Sequence, residues 1–596
     1  MAIPFKTCEL EPTSRAPGLP GRRRAGDETG QDSSEGGRTV DQTTEDRMEP
    51  TRSGATKKAE IGVYGWGIVA PRSPDMASFA RNLEKAESWL TPFNGFGPDN
   101  FLVGEPEFDF ERYRGWIEAR FPANRFSQLT GKMDPTTLYA VGAFIQSLEQ
   151  NEGMEALLHE LGTEAHVYVG TGLGALPTLH ETSLGLARAQ RDWDRFWSEP
   201  ARNPAHARYL EASEAVRAEL PEMPEDPSTL EDPDAAADAR LAWYAFWAAR
   251  SEGLAAFLDE LAAIEGISVG GEVEGGKIAV IRSKERQKAR LIERWGAPTP
   301  PWSAVSSNVL WNIQNTPASQ ISMMGHITGL AFAPVAACST FSICLKLAMD
   351  AIHRGEARAV VVGATDPPPH PMSVGAFYAA RVLSADRGAS KPLSGLRGTH
   401  VAGGAAVWIV GDRAFMESRG MRPLGMEPVS VGVSSDADHI ITPSKEGPTE
   451  AIRMALADAG VEPAELGSWD LHATATPGDF LEVDTLRDVV PEQVLVTARK
   501  GTFGHGMSVG GGWELTAQYL GMERGILFPT PLTAGELNAE IGEVHHRWVF
   551  DAACPAPRAP MGKLSMGVGG VNACVVSRPL AQRTGAERSG DGDATE

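Results

Sequence analysis

Short runs in which almost every position is apolar recur along this chain, bounded by Gly, Pro or charged residues. AEIGVYGWGIVAPR (59–72) has a first such run and a proline-punctuated turn after it. A run apolar at successive positions, not every second one, reads as a strand buried on both faces. MASFARNLEKA (76–86) and PTTLYAVGAFIQSLEQ (135–150) change to helical spacing, and AHVYVGTGLGAL (165–176) returns to a strand ending in a glycine turn. From 328 the order is strand, helix, strand: GLAFAPVAAC, STFSICLKLAMDAIHRG, ARAVVVGATD. A second block of this kind occupies 447–498, with helix GPTEAIRMALADAG, strand SWDLHATAT, a further helix and strand QVLVTARK. Alternation of this sort predicts an α/β fold with largely buried sheets.

Two regions break the pattern. Residues 1–57 and 581–596 are polar and lack apolar periodicity, which predicts disordered tails. Residues 182–300 place aromatics at helical spacing in RDWDRFW (191–197) and AWYAFWAARSEGLAAFLDEL (242–261), around the acidic, proline-rich loop PEMPEDPSTLEDPD. That pattern predicts a helical insertion whose aromatic faces pack against the body. Its RSKERQKARLIER segment (282–294) is the densest basic cluster in the chain.

Composition narrows the function. The net charge is −23, which argues against a nucleic-acid footprint. No apolar run approaches the roughly 18–20 residues of a membrane span. The five cysteines (Cys8, Cys338, Cys344, Cys554, Cys574) form no C-x-x-C pair and no disulfide framework, so a reducing cytoplasm is the natural compartment. The GTGLG turn after the 165–170 strand is weak evidence for a dinucleotide site, because no acidic residue about 20 positions on is placed to hold a ribose.

The chemistry centres on VAACSTFSIC (335–344). Cys338 lies where an apolar run meets a helix start, among small residues that permit a sharp turn. The N–H groups and dipole there would lower a thiol pKa below about 8.5. On this stretch alone, a buried structural thiol and a projecting nucleophile both fit. His472 in DLHATATPGDFLE and His505 in ARKGTFGHGMSVGGGWE, five residues after Lys500, favour the nucleophile. Each stands in a strand-to-loop context beside small residues.

These segments resemble the elongating β-ketoacyl-[acyl-carrier-protein] synthases of the thiolase superfamily. ACSTFS is similar to the nucleophile elbow, HATATPGDFLE to H-G-T-x-T…D-x-x-E, and KGTFGHGMSVGGGWE to K-x-x-x-G-H-x-x-x-A-A-G-x-x-E. SMGVGGVNACVV is similar to the closing S-F-G-F-G-G-x-N. The resemblance covers about 59–185 and 300–580. It implies a layered αβαβα fold of two similar halves, 58–410 with the nucleophile and the insertion, and 411–580 with the histidines. It further implies acyl transfer to Cys338, then decarboxylative condensation with a malonyl-carrier thioester, in fatty acid or polyketide-type biosynthesis. His472 and His505 would polarise the malonyl thioester, and Lys500, with Glu514 behind it, would tune the site's charge. The N–H groups of Cys338 and Val568 would form the oxyanion hole. Thr474, Thr476 and His400 are assigned to substrate or phosphopantetheine binding. No metal or nucleotide cofactor is implied. The expected partners are an acyl carrier protein and a second subunit, in a homodimer or a heterodimer with a sister ketosynthase.

Relatives fit less well. Thiolases use a second cysteine near the C-terminal glycines, whereas Cys574 reads as core. Chain-initiating synthases carry Asn where His505 stands, and chain-length factors lack the nucleophile. Two alternatives stay open, an acyltransferase using Cys338 without decarboxylation and a non-catalytic acyl- or carrier-binding subunit. The departures bear on substrate range and gating. H-A-T-A-T replaces H-G-T-x-T, the His472–Asp479 spacing is one residue short, and Val568 stands where a gating phenylalanine is usual. In KPLSGLRGTHVAGGAA (391–406), Ser394, Gly398 and Gly404 replace acidic residues and His400 an aromatic.

Overall fold

The apolar runs pair into two mixed sheets in a computed structural model that describes residues 58–97, 101–217, 223–267, 274–438, 444–543 and 547–580. The tails assigned to 1–57 and 581–596 lie outside the described residues. One sheet contains β1 (Ile61–Val69), β2 (Ala165–Gly170), β3 (Ala331–Phe332), β4 (Ala359–Asp366) and β5 (Gly404–Asp412), in the order β1-β5-β4-β2-β3. The other contains β6 (Met426–Ser435), β7 (Ser468–Asp470), β8 (Leu495–Thr497), β9 (Arg547–Trp548), β10 (Met561–Gly567) and β11 (Val571–Pro579), in the order β9-β8-β7-β10-β11-β6. Each sheet runs first strand, last, next-to-last, second, third, and in each the last strand is antiparallel to both neighbours. The two halves therefore share one winding.

Along the chain, α1 (Pro135–Ser147) precedes the insertion, whose main helices are α2 (Leu176–Ser198), α3 (Pro233–Ala248), α4 (Glu252–Glu265) and α5 (Glu274–Trp295). Beyond it come α6 (Thr340–His353), α7 (Glu446–Ala459), α8 (Gly478–Val489) and α9 (Gly510–Arg524). Side-chain alternation explains the layering. Ala406, Trp408 and Val410 of β5 face a central core with Phe341 and Leu345 of α6 and Trp513 and Ala517 of α9. Ala405, Val407 and Ile409 face an outer core with α1. In the second sheet Ala573 and Val575 point to the centre, while Cys574 and Val576 join α7 and α8 outside. With both faces covered, the strands Ile61–Val69, Ala165–Gly170 and Ala359–Asp366 are buried at every position, which is why their runs are not polar at every second residue. The result is the five-layered αβαβα thiolase-like arrangement.

Two strands are shorter than their sequences suggest. GLAFAPVAAC pairs only at Ala331–Phe332, since Pro334 cannot extend the ladder and the chain turns toward Cys338. SWDLHATAT pairs only through Asp470. After it, the amides of His472 and Ala473 donate to Glu482, and those of Thr474 and Ala475 donate to Asp479. Carboxylates thus take the place of a neighbouring strand.

The insertion overturns one expectation. Its aromatics do not pack on the body but build their own core, in which Trp193, Trp197 and Phe257 meet Leu291 and Ala297. His206 stacks on Trp247 with ring centroids 4.6 Å apart. The module is tied to the body by polar contacts at the turn before α1. Thr178 donates twice to Asp134, while Asn312 accepts from the Asp134 N–H and donates to the Lys132 carbonyl. Among the described residues, no helix is long and apolar enough to cross a membrane.

Candidate active site

Cys338 lies on a tight 3₁₀ turn, Ala337–Ser339, that feeds α6, and Ala337 adopts φ 46° to make the turn. Ser339 pins this turn to the other half of the molecule by donating to the carbonyls of Ser565 (3.1 Å) and Val571 (2.8 Å). The contact presses the nucleophile turn against the β10–β11 loop. Gly567 is required there, because a Cβ would stand 2.8 Å from the Ala336 oxygen and 3.3 Å from the Cys338 nitrogen. The Val568 N–H hydrogen-bonds the sulfur, and the Val568 side chain, 52% exposed, lines the pocket mouth.

The histidines come from the second half. His505 Nε2 is 3.3 Å from Cys338 Sγ, and its Nδ1 accepts the Met507 N–H at 3.0 Å. An amide N–H can only donate, so the His505 proton must sit on Nε2 and face the sulfur. Lys500 Nζ reaches His472 Nδ1 at 3.3 Å, the His472 carbonyl at 2.5 Å and Glu514 Oε1 at 2.6 Å. The same logic puts the His472 proton on Nε2. The rings meet edge to face at 5.5 Å. Burial first, then the Lys500 charge, lowers both histidines, His505 to about 3 and His472 well below its ordinary value. Both are neutral donors at physiological pH.

The Cys338 thiol departs from expectation. Burial outweighs the Val568 N–H and the Lys500 charge and pushes it up to about 11, so the free protein holds a thiol there. Cys338, His472 and His505 bring their ligating atoms within 4.8 Å of one another, a spacing a metal ion could use. The tautomers oppose that use. Binding through Nε2 would move each proton to Nδ1, against the Met507 N–H and the Lys500 ammonium.

A pocket of about 370 Å³ opens over these groups, lined by Thr474, Thr476, Phe377, Val382, Met566 and Val568 among others. Thr474 and Thr476 share a 2.9 Å hydroxyl contact on its wall. The shortened His472–Asp479 spacing is absorbed by the carboxylate, which still caps the Thr474 and Ala475 amides and also takes the Leu393 N–H. His400 is corrected. It lies behind the wall, 1% exposed, with Nδ1 on the Leu102 carbonyl and Nε2 accepting the Ser390 N–H. No ring nitrogen remains for a substrate. Its role is through the backbone, where its carbonyl accepts the His505 N–H at 2.7 Å. The GTGLG turn is also spoken for, since Gly172 and Leu173 donate to Asp366, whose other oxygen takes the Ser508 N–H beside His505.

Sequence reasoning missed the charges beneath the histidines. Lys563 on β10 is 0% exposed and sits 2.9 Å from Glu514 Oε2, while Asp470 on β7 meets Arg499 at 2.9 Å. A lysine inside the otherwise apolar or small MGKLSMG run was the available signal, since buried charges are rare unless paired.

Known proteins resemble this chain in sequence and in fold. The family model "Beta-ketoacyl synthase, N-terminal domain" matches residues 270–413, and "Beta-ketoacyl synthase, C-terminal domain" matches 427–533. The Vibrio harveyi 3-oxoacyl-[acyl-carrier-protein] synthase 2 is 28% identical over 54% of this chain and 77% of its own. The chloroplastic 3-oxoacyl-[acyl-carrier-protein] synthase I of Arabidopsis thaliana is 32% identical, but the match spans 33% of this chain and only 43% of that protein. Among solved structures, the ishigamide ketosynthase/chain length factor aligns with TM-score 0.60 and 17% identity over 88% of this chain and 100% of its own. A type II ketosynthase in complex with its acyl-carrier protein aligns at 0.59 and 16%, over the same shares of the two chains. Such structural likeness bears on the fold, and the two consecutive domain matches, with their curated relatives, make the chain similar in sequence to the β-ketoacyl synthases over residues 270–413 and 427–533.

Proposed function

We propose that the protein is a condensing enzyme of the β-ketoacyl-[acyl-carrier-protein] synthase type, acting in fatty acid or polyketide synthesis. The observation that carries this reading is the pair of neutral Nε2–H donors converging on Cys338. In the first step the Cys338 sulfur attacks an acyl thioester. The oxyanion is held by the N–H groups of Cys338 and Val568, and the proton lost from the thiol leaves on the carrier thiol. A malonyl thioester then loses CO2, and its enolate oxygen is stabilised by the Nε2–H groups of His472 and His505. The enolate carbon bonds to the acyl carbon, and the Cys338 sulfur is expelled and regains a proton. Neutral histidines suit this step, because they donate hydrogen bonds to the enolate without protonating the carboxylate that must leave. Thr474 and Thr476 would bind the phosphopantetheine arm.

The reading includes a carrier protein and a second subunit as partners. Among the described residues edge strand β3 pairs with β2 on one side only, and Leu330 and Val335 beside it are 55% and 54% exposed. Sedimentation should therefore give a dimer of this chain or require a sister subunit for solubility.

Intact-mass analysis tests the chemistry. Incubation with acyl carriers should add one acyl group at Cys338, and malonyl carrier should then discharge it with release of CO2. Cys338→Ala should abolish both at preserved fold. Acylation without decarboxylation would leave an acyltransferase, and no acylation at all would leave a binding subunit.

A further inference from the structure

Beneath the histidines, five buried charges of alternating sign connect end to end. Arg499 Nε meets Asp470 Oδ2 at 2.9 Å, and Asp470 Oδ1 lies 3.9 Å from Lys563 Nζ. Lys563 contacts Glu514 Oε2 at 2.9 Å, and Glu514 Oε1 takes Lys500 at 2.6 Å. Arg499 and Lys500 are adjacent in sequence, so the peptide closes the chain into a ring. Every member has a side chain no more than 2% exposed.

Lys563 is the member that joins the separate parts of the site. Its strand, β10, leads directly to the Val568 turn, and its Cα pairs with Asp470 of β7, two residues before His472. Its ammonium is also directed to the carbonyls of Leu564 and Leu471, the residue preceding His472. It takes one oxygen of Glu514 and leaves the other to Lys500. With Glu514 so divided, Lys500 has hydrogens free for both the His472 carbonyl and its Nδ1.

We propose that Lys563 is a positioning residue for the condensing chemistry: by holding Glu514 in place it keeps Lys500 on His472 and so keeps the His472 proton on Nε2, facing the pocket. Without it, Glu514 Oε2 would be a buried carboxylate oxygen with no cation, and Lys500 would be drawn toward it. The groups facing His472 and Lys500 are then Glu514 from α9, Lys563 and Asp470 from the sheet, Glu482 from α8, and His505 and Cys338 across the pocket. Burial opposes the Lys563 charge, but Glu514 and Asp470 outweigh it and hold the lysine protonated. That charge in turn helps depress both histidines.

The proposal rests on the condensing-enzyme reading, and the test separates the two. Full-length wild type, Lys563→Met and Lys563→Met/Asp470→Asn are labelled with ¹⁵N-histidine. The double variant removes one charge of each sign and covers the case in which the single variant does not fold. Long-range ¹H–¹⁵N spectra should show His472 as the Nε2–H tautomer in wild type and a mixture or the Nδ1–H form in the variants. Malonyl decarboxylation should fall about 10–100-fold, the range for lost outer partners of a working histidine, while Cys338 acylation stays within about threefold. The acid limb of decarboxylation should move to higher pH, because a lost cation raises the histidines. A wild-type His472 in the Nδ1–H form, an unchanged tautomer in the folded double variant, or equal loss of both half-reactions would overturn the role of Lys563. Wild type that never decarboxylates malonyl carrier would instead sink the condensing reading, with the spectra still deciding on Lys563.

Discussion

Among the described residues a glutamate bridges two lysines twice, once in the body and once in the insertion. Glu514 lies between Lys500 and Lys563 with side chains 0–2% exposed, whereas Glu265 of α4 lies between Lys284 and Lys288 of α5 with the glutamate half exposed. The residue types are the same and the consequences differ. Water screens the insertion's pairs, which contribute about 0–1 kcal/mol. Removing one partner from a buried pair costs about 3–5 kcal/mol, because the other charge is stranded. The body uses the arrangement to fix a proton on a histidine. The insertion uses it to align two solvent-facing helices.

The largest effects should come from what the buried charges position. His472→Ala and His505→Ala should each suppress malonyl decarboxylation by about 10²–10³ per lost donor while leaving measurable Cys338 acylation. Radiolabelled CO2 release checks this, and persistent decarboxylation in both variants would break the assigned roles. Next is the raised thiol. With Cys338 near 11, thiolate is scarce at every pH below that value, so alkylation by iodoacetamide should climb about tenfold per pH unit from 7 to 9 without levelling. A plateau below pH 8 would restore the depressed thiol that the helix start suggested.

Smaller effects belong to the insertion. Structure sharpens the basic cluster of 282–294, since Lys288 is held by Glu265 and Glu285. Arg282, Arg286 and Arg290 are exposed at i, i+4 and i+8, with no ion pair among the described residues. Reversing these three to Glu should raise the apparent KM for an acyl carrier severalfold, in a salt-sensitive way, and leave small thioester analogues unaffected. Equal loss with both substrates would return the row to a structural role. Smallest of all, Glu265→Gln should shift the denaturant midpoint by an amount equivalent to less than about 1 kcal/mol with activity intact. A larger loss would mean the two regions are less different than their exposure implies.

Much of this was legible in residue order. Runs apolar at successive positions read as strands covered on both faces, so GVYGWGIVA and AVVVGA announced the layered core. Cys338, His472 and His505 were singled out because each stands beside small residues, whereas Lys500 and Glu514 gained their assigned roles only through the family resemblance. Lys563, Asp470 and Arg499 were not singled out, since their partners come from strands and turns distant in sequence, and only strand pairing brings them together. The thiol shift was misread for a related reason: a helix start is local, while burial by His505, Met566 and the Val568 loop is tertiary. The insertion's aromatics showed a buried face but not what would cover it, and they cover one another.

The Ser339 bonds to the β10–β11 loop have a consequence for how the pocket comes into being. Ser339 and Val571 are 232 residues apart. At ordinary translation rates of about 5–20 residues per second, Cys338 is made roughly ten to fifty seconds before the loop that packs against it. During that interval the nascent chain has the cysteine without the pocket that surrounds it. The pocket around Cys338 is therefore completed late and all at once, when the last hairpin of the second sheet closes on the first half.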